Sequence, residues 1–338
     1  MRAFEIQGAF GVENLKIVER PEPEPGLYEV RVKMLASSLN FRDLLMVRGH
    51  YNPRQPLPLV PLSDGVGVID AVGEGVSRVA IGDRVAGIFS QRWISDPPSH
   101  ERVRSTLGGP LDGMAAEKVC LHEEGVVKVP AHLTDVEAAT LPCAGVTAWN
   151  SLRGEGDVQS GETVLILGTG GVSIFALQFA VAIGARAIVT SSSDEKLERA
   201  KQVGAWKTIN YRKHETWSRQ VRELTEGRGV DHVVEVGGAG TFEQSVRSTC
   251  TGGHVSLIGV LAGGSQKIDL TRVLMNNICV QGVLVGSRDR FEAMNRAVDA
   301  QKIRPVVDST HPFEALPDAL NALGKGRHFG KIGIEFNP

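Results

Sequence analysis

The chain is poor in cysteine: Cys120, Cys143, Cys250 and Cys279 are the only four in 338 residues. They are scattered and form no C-x-x-C pair, so neither a disulfide framework nor a zinc ribbon is expected, and a reducing cytoplasm is the default setting. An excess of one charge is also missing. The formal net charge is −2 at pH 7, which excludes a basic field for nucleic acid or an anionic membrane as the main partner. The opening residues, MRAFEIQGAF, lack the charged-then-apolar order of a secretory signal. Long apolar runs are lacking too. The most apolar stretch, VSIFALQFAVAIGARAIV, is broken by Gln178, Gly184 and Arg186, and reads as a buried helix passing into a strand, not as a membrane span. What the chain has in excess is glycine, 39 residues, which implies many tight turns or close approaches to a ligand.

The length favours two domains. Up to about residue 125 the pattern is irregular β, with runs such as YEVRVKML (28–35) and GVGVIDAVG (65–73) cut by Gly and Pro clusters. Pro53, Pro56, Pro58 and Pro61 exclude a regular helix between two of these runs. From about 160 the pattern becomes an alternation of apolar, β-branched strands with amphipathic helices. That alternation predicts an α/β fold, a parallel sheet covered on both faces, with six strands in two βαβαβ halves. Two helices follow after about 290. The closing GKIGIEF reads as a strand that can return to the first domain.

The stretch LILGTGGVSIFALQFA sets Gly168, Gly170 and Gly171, with Val172, between a strand and a helix. One glycine permits the tight turn, the next lets backbone approach a pyrophosphate, and the helix N-terminus faces the anion. Ser173 stands where G-x-G-x-x-G has its third glycine, and it is small enough for helix–strand packing. The second strand ends Thr190-Ser191-Ser192-Ser193, with no carboxylate at the tip to bond a ribose 2′-OH; Asp194 is expected to cap the next helix. Ser191, Ser192, Lys196 and Tyr211 suit the 2′-phosphate of NADP (NADPH) better than NAD. The ends of the later strands, Gly237, Gly259, and Val285 with Gly286, lie where a doubly wound sheet holds its ligand.

With LNFRD, PLSDGVGVIDAVGEGVSRVAIGDRV, LPCAGVTAWNSL, LGTGGVS and HFGKIGIEF in hand, the whole chain resembles the medium-chain dehydrogenase/reductase superfamily. Within it the chain is most similar to the zinc-free, quinone-oxidoreductase-like and enoyl-reductase-like branch. The resemblance implies a GroES-like β-barrel catalytic domain at 1–125, completed by about 290–338. It also implies a Rossmann dinucleotide-binding domain at 126–289 and an active site in the cleft between the two. It further implies contact of Thr147 with the nicotinamide. Phe329 and Lys331 are expected to close on the nicotinamide or the phosphates. Family members commonly dimerise by joining sheet edges, so a homodimer through the apolar 277–286 edge strand is expected.

The zinc-dependent members take their catalytic metal on a cysteine, a histidine some twenty residues on, and a later cysteine. Here those places hold Asn40, Ser63 and Cys143, and Asp64 stands at the position of their glutamate. Asn and Ser are poor ligands for zinc, and a catalytic zinc needs three protein ligands. Residues 91–112 contain no cysteine for a structural zinc. No metal is expected, and Cys143 reads as a thiol left at a former ligand position.

Without a metal, reduction of an enone, 2-alkenal or quinone is less demanding than alcohol oxidation, because the charge spreads into an enolate or hydroquinone anion. Asn40 either polarises the substrate carbonyl or holds an Asx turn. Tyr51 and Ser63 are candidate donors, and Asp64 is a candidate for positioning a proton-donating water. Three functions stay open: a reductase of enones, 2-alkenals or quinones, a metal-free alcohol/ketone dehydrogenase, and an NADPH-binding sensor of low turnover.

Overall fold

The computed structural model describes residues 1–154, 156–265 and 267–336. Its contacts divide the chain into one unit of Met1–Val146 with Val285–Pro338, and a second of Thr147–Leu284.

The first unit opens with the antiparallel pair β1 (Arg2–Ile6) and β2 (Leu15–Glu19). There follow β3 (Glu29–Ser38), β4 (Asp64–Val72), β5 (Arg84–Gly87), β6 (Lys118–His122) and β7 (Val126–Lys128). In the second unit lie β8 (Thr163–Leu167), β9 (Arg186–Ser191), β10 (Lys207–Asn210), β11 (Val230–Glu235), β12 (Thr249–Leu257) and β13 (Cys279–Gly282). The chain then returns to the first unit with β14 (Val307–Pro312) and β15 (Lys331–Glu335).

A seven-stranded sheet in the order β14-β15-β3-β4-β5-β7, with β6 also on β3, carries the first unit. Most of β3 alternates: Val30, Val32 and Met34 point into the core while Arg31 and Lys33 point away, as a half-covered antiparallel strand requires. Leu44, Val47, Phe313, Leu316 and Leu320 pack into the same core. The closing strand β15 pairs with β3, Gly333 opposite Ser38, so GKIGIEF does return to the first domain. Residues 126–146 also belong here, some twenty residues beyond the expected boundary. The reason is pairing: β7 bonds to β5, Val127 opposite Ala86.

In the second unit six parallel strands run in the order β10-β9-β8-β11-β12-β13. This is the doubly wound sheet that the alternation predicts. Every residue of β8, TVLIL, is buried, because helices cover both faces. The apolar stretch after the glycine loop is the helix Gly171–Ile183, ended by Gly184 at φ +84°, and it leads into β9. β13 is an edge strand, as expected, but shorter than 277–286. Val283 N–H still reaches Leu257 O, and the ladder stops before Val285, whose φ is +50°. No described helix is long and apolar enough to cross a membrane.

Candidate functional site

In the first unit, the sheet register gathers a buried polar cluster. Ser38 lies opposite Asp64 in the β3–β4 ladder, and its Oγ donates to Asp64 Oδ2 at 2.8 Å while Ser37 Oγ donates to the Asp64 carbonyl. Ser63 Oγ reaches Asp64 Oδ1 at 3.3 Å. Asn40 caps the helix Phe41–Val47 from extended backbone, and Asp43 Oδ2 accepts its N–H at 2.9 Å. An Asx-type structural role and a place in the cluster therefore coexist in one residue. Asn40 Nδ2 points to Ser63 Oγ at 3.4 Å, and Asn40 Oδ1 accepts from Lys331 Nζ at 2.6 Å.

Burial pushes the Asp64 carboxyl above its ordinary range; the Lys331 ammonium opposes that push and the Asp43 charge adds to it. Burial raises Asp43 as well, against the Arg42 charge and the Asn40 N–H. Arg42 is fixed on the Leu107 and Gly109 carbonyls at 2.8 and 3.1 Å, and its guanidinium lies 5.0 Å from the centre of the Tyr51 ring. Tyr51 is thus placed beside Arg42 and half exposed, not among Asn40, Ser63 and Asp64. Cys143 sits in the π-helical turn Leu141–Gly145, and burial, followed by the Asp64 charge, drives its thiol pKa upward. A thiol held protonated in this way is a poor nucleophile.

Lys331 and Phe329 are both buried. The Lys331 ammonium is committed to Leu39 O, Asn40 Oδ1 and Asp64 Oδ2 within this unit. Arg288 and Arg290, which follow Val285, Gly286 and Ser287, pair with Glu124 and Asp96.

The second unit holds the glycine loop. Gly168 has φ +75°, which only glycine adopts without strain. A Cβ added to Gly170 would meet nothing within 4 Å, so open space lies over the loop. The helix Gly171–Ile183, which Val172 continues, has no side-chain cap at Gly170 and no acidic residue in its first turn. Its first N–H groups and dipole are therefore arranged for an anion. Ser173 Oγ turns back to Leu167 O at 2.7 Å, which shows how serine serves at the third glycine position.

At the tip of β9, Ser191 is buried and Ser192 half-buried. Ser193, not Asp194, caps the helix Asp194–Val203, accepting from Lys196 N–H. Ser193 is the last residue with extended backbone, so its hydroxyl alone is placed for the cap. The Asp194 carboxylate is instead bonded to Asn210 Nδ2 and paired with Lys213. The Asn210 bond, then Lys213, holds its pKa low. Tyr211 follows β10, half exposed, its N–H on Ser191 O. Thr147 is buried at the start of this unit.

At the later strand ends the glycines answer to their own chain. A Cβ at Gly237 would lie 2.3 Å from Thr241 Oγ1, and at Gly259 2.4 Å from Val236 O. Sequence reasoning missed the residue that organises this edge, Glu235. Its buried carboxylate accepts from Gly237 N–H at 2.7 Å, Gly238 N–H at 3.0 Å, Thr241 Oγ1 at 2.6 Å and Ser245 Oγ. A glutamate two residues before paired glycines was the available signal. Ser38 was missed because only the ladder register brings it to Asp64.

The profile described as "Alcohol dehydrogenase GroES-like domain" matches residues 26–131, and that described as "Zinc-binding dehydrogenase" matches 171–300. The chain is 43% identical over 336 residues to a zinc-type alcohol dehydrogenase-like protein of Schizosaccharomyces pombe, covering 97% of this chain and 96% of the relative. It is 36% identical to a quinone oxidoreductase of Pseudomonas aeruginosa, over 77% of this chain and 74% of that one. A crystal structure of an NAD-dependent alcohol dehydrogenase superposes with a TM-score of 0.91, at 35% identity and with 100% of both chains covered.

Proposed function

Because the chain belongs to the medium-chain dehydrogenase/reductase superfamily, whose members are NAD(P)-dependent oxidoreductases, we propose that it is a zinc-independent reductase that uses NADPH to reduce an enone, 2-alkenal or quinone. The observation that carries this reading is the donor set around Asn40. The places that ligate zinc in the metal-dependent members offer an amide, a hydroxyl and one thiol, and the amide oxygen is already bonded to an ammonium at 2.6 Å. Among the described residues, no three His, Cys, Asp or Glu side chains are gathered as a metal site. Such a set does not fit a zinc ion.

The second unit fits a dinucleotide through the open space at Gly170 and the uncapped helix N-terminus. Thr147, Gly168, Gly171, Val172, Gly237, Gly259, Val285, Gly286 and Phe329 complete the set proposed to hold it. Ser191, Ser192 and Lys196 supply donors for a 2′-phosphate, with Tyr211 following β10, and the carboxylate next in sequence, Asp194, is committed to Asn210 and Lys213. When bound, the nicotinamide supplies a hydride to a substrate carbon. Asn40 Nδ2 then donates to the oxygen on which negative charge gathers, with Ser63 and Asp64 bracing it from behind.

The relatives named alcohol dehydrogenases favour a second reading, reversible oxidoreduction of a simple alcohol or ketone by the same residues. Following NADPH absorbance with a 2-alkenal, a quinone and a simple ketone separates the two. Turnover of the ketone alone sinks the first reading, and stoichiometric zinc by elemental analysis sinks the metal-free one. We also propose a homodimer through β13, supported by its free sheet edge and by the exposed Leu270, Leu274, Met275 and Val280 around it. A monomer by light scattering at micromolar concentration contradicts it.

A further inference from the structure

Lys331 is 3% exposed, and its ammonium donates to Leu39 O at 2.7 Å, Asn40 Oδ1 at 2.6 Å and Asp64 Oδ2 at 3.5 Å. An ammonium has donors and no acceptor, so the Asn40 atom that faces it has to be the oxygen. This settles chemically which way the amide is turned, a choice that a bare asparagine leaves open. The NH₂ group is thereby forced to the opposite side. There it meets Ser63 Oγ, at 3.4 Å, the outer limit of a hydrogen bond, and the Asp64 carboxylate that Ser63 also reaches. The same ammonium faces the Asp64 carboxylate and competes with that NH₂ group for it.

We propose that Lys331 is a positioning residue: it pins the Asn40 carbonyl so that Nδ2 is presented, and kept available, as the hydrogen-bond donor to the substrate oxygen. This rests on the reading of Asn40 as that donor. It moves Lys331 from the cofactor to the reacting carbonyl, one residue removed. Without the ammonium the amide can turn over, and the oxygen then meets the developing negative charge.

The test uses the full-length enzyme with NADPH and either crotonaldehyde or 1,4-benzoquinone, in wild type, Asn40→Ala, Asn40→Asp, Lys331→Met and the double variant Asn40→Ala/Lys331→Met. Losing one such donor costs on the order of 100-fold in kcat. Asn40→Ala and Asn40→Asp are expected to fall by about that much. In Asn40→Asp a carboxylate still faces Lys331 yet, while ionised, donates nothing. Lys331→Met is expected to lower kcat at least tenfold while the Kd for NADPH, by fluorescence titration, stays within about twofold. In the Asn40→Ala background the Lys331→Met change should cost less than threefold, a non-additivity that a purely structural lysine does not produce. If Lys331→Met does not fold, Lys331→Gln carries the same comparison, since its amide has no preference for the Asn40 oxygen. A large loss in Asn40→Ala with less than a threefold loss in the Lys331 variant overturns the proposal and leaves the reading of Asn40 standing. A raised NADPH Kd with unchanged kcat returns Lys331 to the cofactor and overturns it too. No loss in Asn40→Ala, or no turnover of either substrate by wild type, removes the reading and the proposal together.

Discussion

Glu235 gives the sharpest test of how the second unit is held together. Its carboxylate accepts two backbone N–H groups and two hydroxyls, and it is fully buried. Glu235→Ala leaves the Gly237 and Gly238 N–H groups buried without an acceptor, at about 1–3 kcal/mol each. Thr241 Oγ1 has an alternative in the Gly238 carbonyl at 3.3 Å, so the hydroxyls add less. The cavity adds to the loss, and removal of a buried charge offsets part of it. A net loss of about 3–5 kcal/mol follows. For a domain of this size that lowers the melting temperature by on the order of 10 °C. Glu235→Gln keeps one oxygen for both glycine N–H groups and can donate to Ser245, so it should lose no more than about 2 kcal/mol. The assay is thermal and urea unfolding of both variants beside wild type, with Kd for NADPH measured on the folded proteins. The Ala variant should bind NADPH more weakly, because the turn after β11 is no longer fixed. If Ala and Gln unfold within about 1 kcal/mol of each other, the hydrogen-bond account of this carboxylate is wrong.

Three further outcomes are expected. Ser192→Asp places a carboxylate where the 2′-phosphate is proposed to lie, so Kd for NADPH should rise about tenfold or more with that for NADH within about threefold; parallel changes for both count against the NADP assignment. His232 is buried against His254, with ring centres 4.8 Å apart, and burial, then the His254 charge, lowers its pKa to about 3. The unfolded chain therefore takes up a proton near pH 6.5 that the folded chain refuses until about pH 3, and stability falls through that window by up to about 1.4 kcal/mol per pH unit. His232→Gln should flatten the acid limb of a urea-midpoint profile, and an unchanged slope would show that other groups set it. Cys143→Ala should keep kcat within about twofold, since burial holds that thiol protonated; a large loss in a folded variant would make it a participant.

How much of this was legible in the sequence depended on whether a signal was local. The parallel sheet followed from apolar strands alternating with helices, and the glycine loop from GTGG set between them. What stayed hidden depended on backbone angles or on partners that no local pattern announces. The first unit's boundary was read near 125 because nothing in VVK announces that it pairs with Arg84–Gly87, some forty residues earlier. Asp194 was taken for a cap because two adjacent capping residues cannot be ranked without backbone angles. Lys331 read as a residue that closes on the nicotinamide or the phosphates, and its burial stayed hidden because a lysine in GKIGIEF carries no mark of it. Its partners, the Asn40 amide oxygen and the Asp64 carboxylate, lie nearly three hundred residues away. Tyr51 read as a donor from its type, and nothing local shows its ring beside Arg42.

The first unit is built from both ends of the chain, and this imposes an order on its making. During synthesis the whole of the second unit leaves the ribosome before β15 exists, so the Asp64 carboxylate waits for the last strand to bring its ammonium. Until then Asp64, at the start of β4, has no lysine to oppose its burial, and the β3 edge toward β15 stays unpaired. A nascent chain halted just short of Lys331 should therefore lose residues 1–146 to brief proteolysis while the segment 147–284 resists. Equal protection of both would show that the barrel closes without its final strand.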